Sequence, residues 1–212
     1  MNSASQSAAR LNTVTQKNLA ECQAHLLSVV SSDRFLKNEG LNNEVPFHIC
    51  PFTPDISQDM IHAIKELTNA LADQGISVLE INLYDLVVEI LKEEGDWDWL
   101  IENESRLSRD QFKEELQAIL DTESALIPTI VKKMKDNSFR VMFITGVGEV
   151  FPYIRSNNIL NNLQRVAKEQ PTLMFFPGKY QHSLASGASL RLFDKLTDDK
   201  YYRAFNILDR AN

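Results

Sequence analysis

Two glycines, Gly146 and Gly148, lie between an apolar run and a helical pattern in the stretch FITGVGEVFPYI. Many nucleotide-binding proteins hold a phosphate at such a turn, because the N–H groups at a helix start point toward the anion. The P-loop template also requires a lysine and a hydroxyl in register, and the dinucleotide template requires a third glycine where this chain has Phe151. Glu149 adds a carboxylate at the expected helix start, where it competes with an anion. The sequence therefore meets neither phosphate-binding template.

The glycine pair can be interpreted in two ways. A tight strand-to-helix turn needs positive φ, which glycine adopts without strain. Alternatively, the turn is a loop that binds a ligand or partner at the carboxyl end of a central strand, where open α/β sheets usually bind. The next helix is unusually polar, because Asn157 and Asn158 precede Asn161 and Asn162 by one turn. These asparagines form either a binding surface or a network that holds the loop.

Four residues could be metal ligands. Cys22-x-x-His25 and His48-x-Cys50 each present two soft ligands, and four such ligands would suit zinc. Neither spacing is a common zinc pattern, and buried free cysteines are common core residues. Zinc is therefore a weak alternative, and we expect no cofactor.

Two catalytic alternatives also follow from residue types. His182 and Ser183 suggest a nucleophile, but the G-x-S-x-G elbow is absent and the segment 179–190 is predicted to be a loop of small residues. A degenerate nucleotide-binding or nuclease-like enzyme subunit would use Glu149 and Arg155. We expect no catalytic residues.

Charge is unevenly distributed along the chain, whose net charge is −7. Residues 80–123 carry 14 acidic and 4 basic side chains, whereas residues 124–212 carry 13 basic and 7 acidic ones. Two oppositely charged surfaces would steer charged partners, unless the segments pack together and neutralise each other. The candidate acidic partner face comprises Glu93, Glu94, Asp96, Trp97, Asp98 and Trp99. If the chain contacted DNA, the candidates would be Arg140, Arg155, Arg165, Lys168 and Arg191, although no recognised DNA-reading motif appears.

The elements that must position these residues alternate between strands and helices. Apolar runs predict strands at 46–52, 76–83, 140–146, 172–178 and 201–207. Helical spacing predicts a helix over 56–73, and Ser108 with Gln111 forms a capping-box signature for another. This pattern is typical of an α/β fold with a mostly parallel sheet and helices on both faces, Rossmann-like or degenerate P-loop-like.

The predicted organisation is a single α/β domain at residues 45–212, with an acidic helical insertion around 95–135. A disordered tail at 1–14 and an N-terminal helical segment at 15–44 precede it. The chain is 43% hydrophobic and contains no apolar run of the ~20 residues needed to cross a bilayer. Its first residues are polar, so we expect no secretion signal. With two cysteines, we expect a cytoplasmic protein.

Several stretches in one order resemble a known family. They are DRFLKNEGLNNEVPFHI, VLEINLYDLVVEIL and TGVGEVFPYIRSNNILNNLQ, followed by FFPGKY, SLRLF and DDKYYRAFNI. Together they resemble the BrxB family, the small B component of the bacteriophage exclusion (BREX) defence systems of bacteria. The matching positions are Gly146, Gly148, Glu149, Phe151, Pro152, Arg155, Asn158, Asn162, Pro177, Gly178, Tyr202 and Phe205.

The resemblance implies a cytoplasmic defence protein encoded beside a large ATPase, a DNA methyltransferase and a PglZ-family protein related to alkaline phosphatases. The family's B component has no established reaction, and the resemblance favours adaptor work among the larger proteins. We therefore expect a non-catalytic scaffold that binds other BREX proteins, above all the PglZ-family protein or the large ATPase. Any association with DNA would be indirect, and no membrane contact is expected.

Overall fold

The computed structural model describes residues 12–39, 46–183, 187–198 and 204–210. Within these ranges, seven strands form one connected sheet: β1 (Phe47–Phe52), β2 (Val78–Asn82), β3 (Val141–Thr145), β4 (Thr172–Ser183), β5 (Gly187–Leu192), β6 (Leu196–Asp198) and β7 (Phe205–Asn206). The α-helices are α1 (Leu19–Val30), α2 (Asp33–Leu36), α3 (Ser57–Asp73), α4 (Leu83–Glu93), α5 (Asp96–Asn103), α6 (Arg109–Ile119), α7 (Ile127–Asp136) and α8 (Ser156–Val166). A π-helical turn, Thr122–Leu126, leads into α7.

The sheet is mostly parallel, as predicted. Strands β2, β3, β4, β1 and β7 pair in that order and run in one direction. Beyond its parallel part, β4 continues into an antiparallel pairing with β5, which pairs with β6. The chain therefore crosses the sheet from β1 to β2 and then returns through β3 to β4.

Helices cover both faces of the sheet, which confirms the predicted α/β class. Successive side chains of a strand point to opposite faces. In β3, Phe143 packs into the core shared with α1 and α3, whereas Met142 and Ile144 pack into the core shared with α4 to α8. All five β3 residues are buried, as expected for a central parallel strand covered on both sides.

Residues near both chain ends close the amino ends of the strands. Buried His48 of β1 lies beside Phe35, with ring centroids 4.8 Å apart, and accepts a hydrogen bond from Arg210 Nη1 at 2.6 Å. Arg210 Nη2 donates to the Glu39 carbonyl at 3.1 Å. Burial and the nearby Arg210 charge lower the pKa of His48 to about 3, so its imidazole is neutral at pH 7.

The prediction of a loop at 179–190 is wrong, because β4 extends to residue 183 and forms a hairpin with β5. Tyr180, Leu190 and Leu192 are buried, and the Tyr180 hydroxyl donates to the Ala204 carbonyl. These buried side chains therefore stabilise the two strands. The small residues between Tyr180 and Leu190 had made the segment resemble a loop. The last predicted strand is shorter than expected, Phe205–Asn206, and residues 201–203 lie outside the described residues.

The predicted tail and helical segment are described in part. Residues 1–11 and 40–45 lie outside the described residues, and α1 and α2 occupy the segment between them. Val14, the last residue of the predicted tail, is buried and bridges to β1, since its N–H donates to the Pro51 carbonyl at 2.8 Å. Val14 therefore belongs to the folded domain. In the described ranges, no helix has the length and apolarity to cross a bilayer.

Candidate functional site

A crevice of about 760 Å³ opens at the carboxyl ends of the central strands. Its lining includes the last residues of β1 and β3, the turn after β3, and Pro177 of β4. The helix after β1 packs on one face of the sheet and the helix after β3 packs on the other. Such a switch point is where open α/β sheets usually bind ligands.

Gly146 forms the tight turn expected from the sequence. Its φ is +70°, and a Cβ there would lie 2.5 Å from Asn82 Oδ1. Asn82 caps α4, because its Oδ1 accepts the Tyr84 and Asp85 N–H groups at 2.9 and 3.3 Å. Gly146 is therefore needed both for its backbone conformation and for the close approach of two strand ends.

Gly148 has a different role from Gly146. Its φ is not positive, but a Cβ there would lie 3.0 Å from both Phe193 and Pro177. The Phe193 ring also meets Phe151 edge-on, with centroids 6.4 Å apart. Gly148 therefore lets the aromatic ring of the β5–β6 turn approach the crevice.

The expectation that Glu149 lies at a helix start is wrong. The helix α8 begins at Ser156 with Arg155 as its N-cap residue, so residues 146–155 form a longer connection than expected. Glu149 is exposed and lines the crevice instead. Its carboxylate consequently acts on whatever enters the crevice rather than on the helix dipole.

The charges lining the crevice oppose phosphate binding. Glu80 and Glu149 both line it, whereas Lys65 is the only cation among its described lining residues. Thr145 Oγ1 donates to Glu80 Oε1 at 2.8 Å and fixes that carboxylate. Two carboxylates against one lysine give a field that disfavours a nucleoside triphosphate.

The asparagines of α8 mainly hold local structure. Asn157 is buried, and its Oδ1 accepts the Asn158 N–H at 2.7 Å. Asn162 Nδ2 donates to the Asn158 carbonyl at 2.9 Å. These contacts support the interpretation of a stabilising network, and Asn158 is the exposed residue among the three.

The remaining family positions are distributed around the sheet. The Pro152 carbonyl accepts a hydrogen bond from Gln117 Nε2 at 3.2 Å. A Cβ at Gly178 would overlap the Arg191 carbonyl oxygen, so glycine is required there by packing. Phe205 lies at the amino end, 6.0 Å from the His48 ring, and Tyr202 lies outside the described residues.

The candidate acidic partner face lies on α5 and the end of α4. Glu93, Glu94 and Asp98 are exposed there, and Asp96 is partly exposed in the first turn of α5. Trp97 is half-buried against the core, with Lys92 Nζ 5.2 Å from its ring centroid.

The apolar residues of α5 that face solvent are Trp99 and Ile101. Their exposed fractions are 44% and 57%. The sequence had indicated both indoles, but only Trp99 is available at the surface.

The acidic and basic segments neutralise each other at two points. Lys133 pairs with Glu89 at 2.7 Å, and Arg165 pairs with Glu123 at 3.6 Å. The proposed DNA-contacting residues do not gather on one face. Arg140 and Lys168 lie near the amino ends of β3 and β4, whereas Arg155 lies after the carboxyl end of β3.

The four possible zinc ligands serve other roles. His25 Nε2 contacts the Ile207 carbonyl at 3.2 Å, and His48 bonds to Arg210. Burial raises the pKa of Cys22 to about 11 and also raises that of Cys50, so both core thiols are protonated at pH 7. Among the described residues, no three His, Cys, Asp or Glu side chains form a metal-binding group.

Sequence reasoning missed several crevice residues, including Lys65, Glu80, Asn82 and Phe193. Two signals were available: Glu80 interrupts an apolar strand, and Asn82 immediately precedes a helix, where it is a preferred N-cap. For the nucleophile alternative, which the sequence did not favour, the side chains of His182 and Ser183 lie outside the described part.

Comparisons with known proteins agree with one another. Residues 79–207 match the family model described as "BREX protein BrxB". A Bacillus cereus protein named BREX protein BrxB is 33% identical over 192 residues, covering 87% of this chain and 95% of that protein. An Escherichia coli protein of the same name is 26% identical over 198 residues, covering 93% and 94%. No solved structure matches the chain. The chain therefore belongs to the BrxB family, a component of the BREX phage-defence system.

Proposed function

We propose that the chain is a non-catalytic adaptor of a cytoplasmic BREX complex, with two separate faces for other BREX proteins. One face is the exposed surface of α5. The other is the crevice at the carboxyl end of the sheet. We expect the PglZ-family protein and the large ATPase to be the partners.

The observation that carries the proposal is the exposure of Trp99 and Ile101 on α5. Both are large apolar side chains exposed on one short helix among carboxylates, and tryptophan is enriched among the residues that dominate binding energy at interfaces. The carboxylates of Glu93, Glu94 and Asp98 add a rim that would steer a basic partner.

The crevice supports the non-catalytic part of the proposal. Its carboxylates oppose a triphosphate, and the glycine turn lacks the lysine and hydroxyl of a P-loop. Titration calorimetry with Mg·ATP should therefore give no heat of binding. A saturable heat that Glu149→Gln or Arg155→Ala changes would favour the enzyme alternative instead.

Co-purification tests the adaptor function at α5. The double variant Trp99→Ala/Ile101→Ala should lose at least one co-expressed BREX protein that the wild-type chain retains. Val166→Ala is the matched control, because Val166 is exposed to a similar extent, 42%, on α8. Charge reversal is best placed at Glu93 and Glu94, since Asp96 and Asp98 stabilise the first turn of α5. Full retention of every partner by the double variant would contradict the proposal.

A further inference from the structure

We propose that the crevice at the carboxyl end of the sheet receives an arginine-bearing segment of another protein. This inference rests on the proposed adaptor function and specifies the chemistry of one partner. Three features support it: the aromatic walls of the crevice, its excess of carboxylates, and the backbone conformation that holds Phe193.

Aromatic residues form part of the crevice wall. Phe52 and Phe175 line it as buried residues, Phe193 is partly exposed beside Pro177, and Ile61 also lines the crevice with 49% of its surface exposed. A guanidinium is planar, stacks on aromatic faces and is more weakly hydrated than an ammonium. An arginine therefore fits these walls better than a lysine.

The charges favour a cation. Glu80 and Glu149 line the crevice, and neither forms an ion pair with any described lysine or arginine. A neighbouring groove of about 280 Å³ shares Glu80 and adds Asp85 and Glu89. In that groove, Lys133 already pairs with Glu89. The surface around Glu80 is thus electrostatically complementary to a basic segment.

The turn between β5 and β6 holds Phe193 in an uncommon conformation. Phe193 and Asp194 have φ values of +52° and +59°, which bulky residues rarely adopt. The Phe193 N–H donates to the Pro177 carbonyl at 2.9 Å, and Asp194 pairs with Lys179 at 3.0 Å. Positive φ at both central residues is the pattern that hairpin turns require, and this turn places the Phe193 ring at the crevice.

A peptide titration tests the proposal on the full chain. The probe is the capped pentapeptide acetyl-Gly-Leu-Arg-Leu-Gly-amide, and its comparisons carry lysine or citrulline at the central position. Citrulline keeps the shape of arginine without its charge. We expect the arginine peptide to shift the amide resonances of Gly146, Gly148 and Glu149 saturably, with weaker effects from lysine and none from citrulline.

Variants locate the binding site. Glu149→Gln should lower the affinity for the arginine peptide about three- to fivefold, the range expected for loss of an ion pair at the surface. Glu169→Gln removes the same charge before β4, at the other end of the sheet, and should leave the affinity unchanged. Phe193→Leu keeps an apolar side chain but removes the aromatic face, so it should also weaken binding.

Several outcomes would overturn the inference. They are equal binding of the citrulline peptide, equal affinities of the Glu149→Gln and Glu169→Gln variants, the absence of any shift at millimolar peptide, or shifts of the same amides by Mg·ATP. Self-association that protects these amides would identify a second copy as the occupant and would overturn it too.

The inference and the adaptor function can fail separately. If the peptide does not bind but Trp99→Ala/Ile101→Ala loses a BREX partner, the adaptor function stands and the inference fails. If no BREX protein co-purifies with the chain, the adaptor function fails, and the titration still decides whether the crevice binds arginine.

Discussion

Polar groups are buried and hydrogen-bonded at the amino end of the central sheet, but carboxylates are exposed at its carboxyl end. At the amino end, buried His48 accepts a hydrogen bond from Arg210 and lies beside the tilted ring of Phe35, and Arg210 also donates to the Glu39 carbonyl. At the carboxyl end, Glu149 is exposed in a crevice of about 760 Å³. The same sheet therefore has one end closed by its own chain and another that is open.

We therefore expect the amino end to contribute to stability and the carboxyl end to contribute to binding. Buried polar groups that lose a partner destabilise a fold strongly, so the amino end should be sensitive to substitution. Exposed groups contribute little to folding, so substitutions at the crevice should change binding while leaving stability nearly intact. Matched substitutions at the two ends test this division.

The largest expected effect is at the amino end. Phe35→Ala should lower the free energy of unfolding by about 3–5 kcal/mol, because Phe35 is fully buried and its removal leaves a cavity. Denaturant unfolding of the full chain measures this loss. Ile61→Ala, at the crevice rim, should change stability by less than about 0.5 kcal/mol. Similar losses for both variants would show that the two ends do not differ in this way.

Gly146 is a crevice residue whose substitution should destabilise the fold. Gly146→Ala should lower the free energy of unfolding by about 2–3 kcal/mol, because alanine is strained at φ +70° and its Cβ would overlap Asn82. Gly75→Ala is the matched control: its φ is +74°, but no atom lies within 4 Å of the added Cβ. The control should cost about 1 kcal/mol, the strain alone. Equal costs would show that the contact with Asn82 is unimportant.

Lowering the pH should destabilise the fold, because the buried His48 at the amino end of the sheet resists protonation. Its pKa is about 3 in the folded chain and ~6.5 when unfolded. Between these values the unfolded chain binds the extra proton, so stability falls as pH decreases from 6.5 toward 3. His48 should account for about 2 kcal/mol of loss between pH 7 and pH 5.

Unfolding of His48→Gln at both pH values measures this contribution. The variant should lose about 2 kcal/mol less than the wild type over this interval. His62→Gln, on the exposed side of α3, is the control. Identical pH profiles for wild type and His48→Gln would show that the buried imidazole does not resist protonation in the folded chain.

The smallest effect on stability is expected at Glu149. Glu149→Gln should change the free energy of unfolding by less than about 0.5 kcal/mol, because the side chain is exposed. Thermal and denaturant unfolding check this expectation. A loss of several kcal/mol would show that the carboxylate is structural and that the crevice is not a free surface.

Local patterns predicted much of the fold. Apolar runs located β1, β2 and β3, helical spacing located α3, and the Ser108–Gln111 capping box is present, with bonds of 3.3 and 3.0 Å. The hairpin of β4 and β5 was missed, because the small residues Ser183 and Gly187, where β4 ends and β5 begins, are typical of a loop, while the buried Tyr180 and Leu190 are separated along the chain.

The site was harder to predict than the fold. The glycine turn was visible in one short stretch, but the crevice joins Glu80 to Thr145, which are 65 residues apart. Parallel pairing of β2 with β3 brings them together, and strand order is not encoded in any local pattern. Phe193 could not be connected with Gly148 before the hairpin was known.

An adaptor with two separate faces should hold two other BREX proteins together. Co-elution of the PglZ-family protein and the large ATPase, with and without this chain, measures that function most directly. We expect them to co-elute only when the chain is present. Trp99→Ala/Ile101→Ala should release one of them, and Ile61→Arg/Glu149→Arg should release the other. Retention of both partners by both variants, or loss of the same partner from both, would contradict the proposed function.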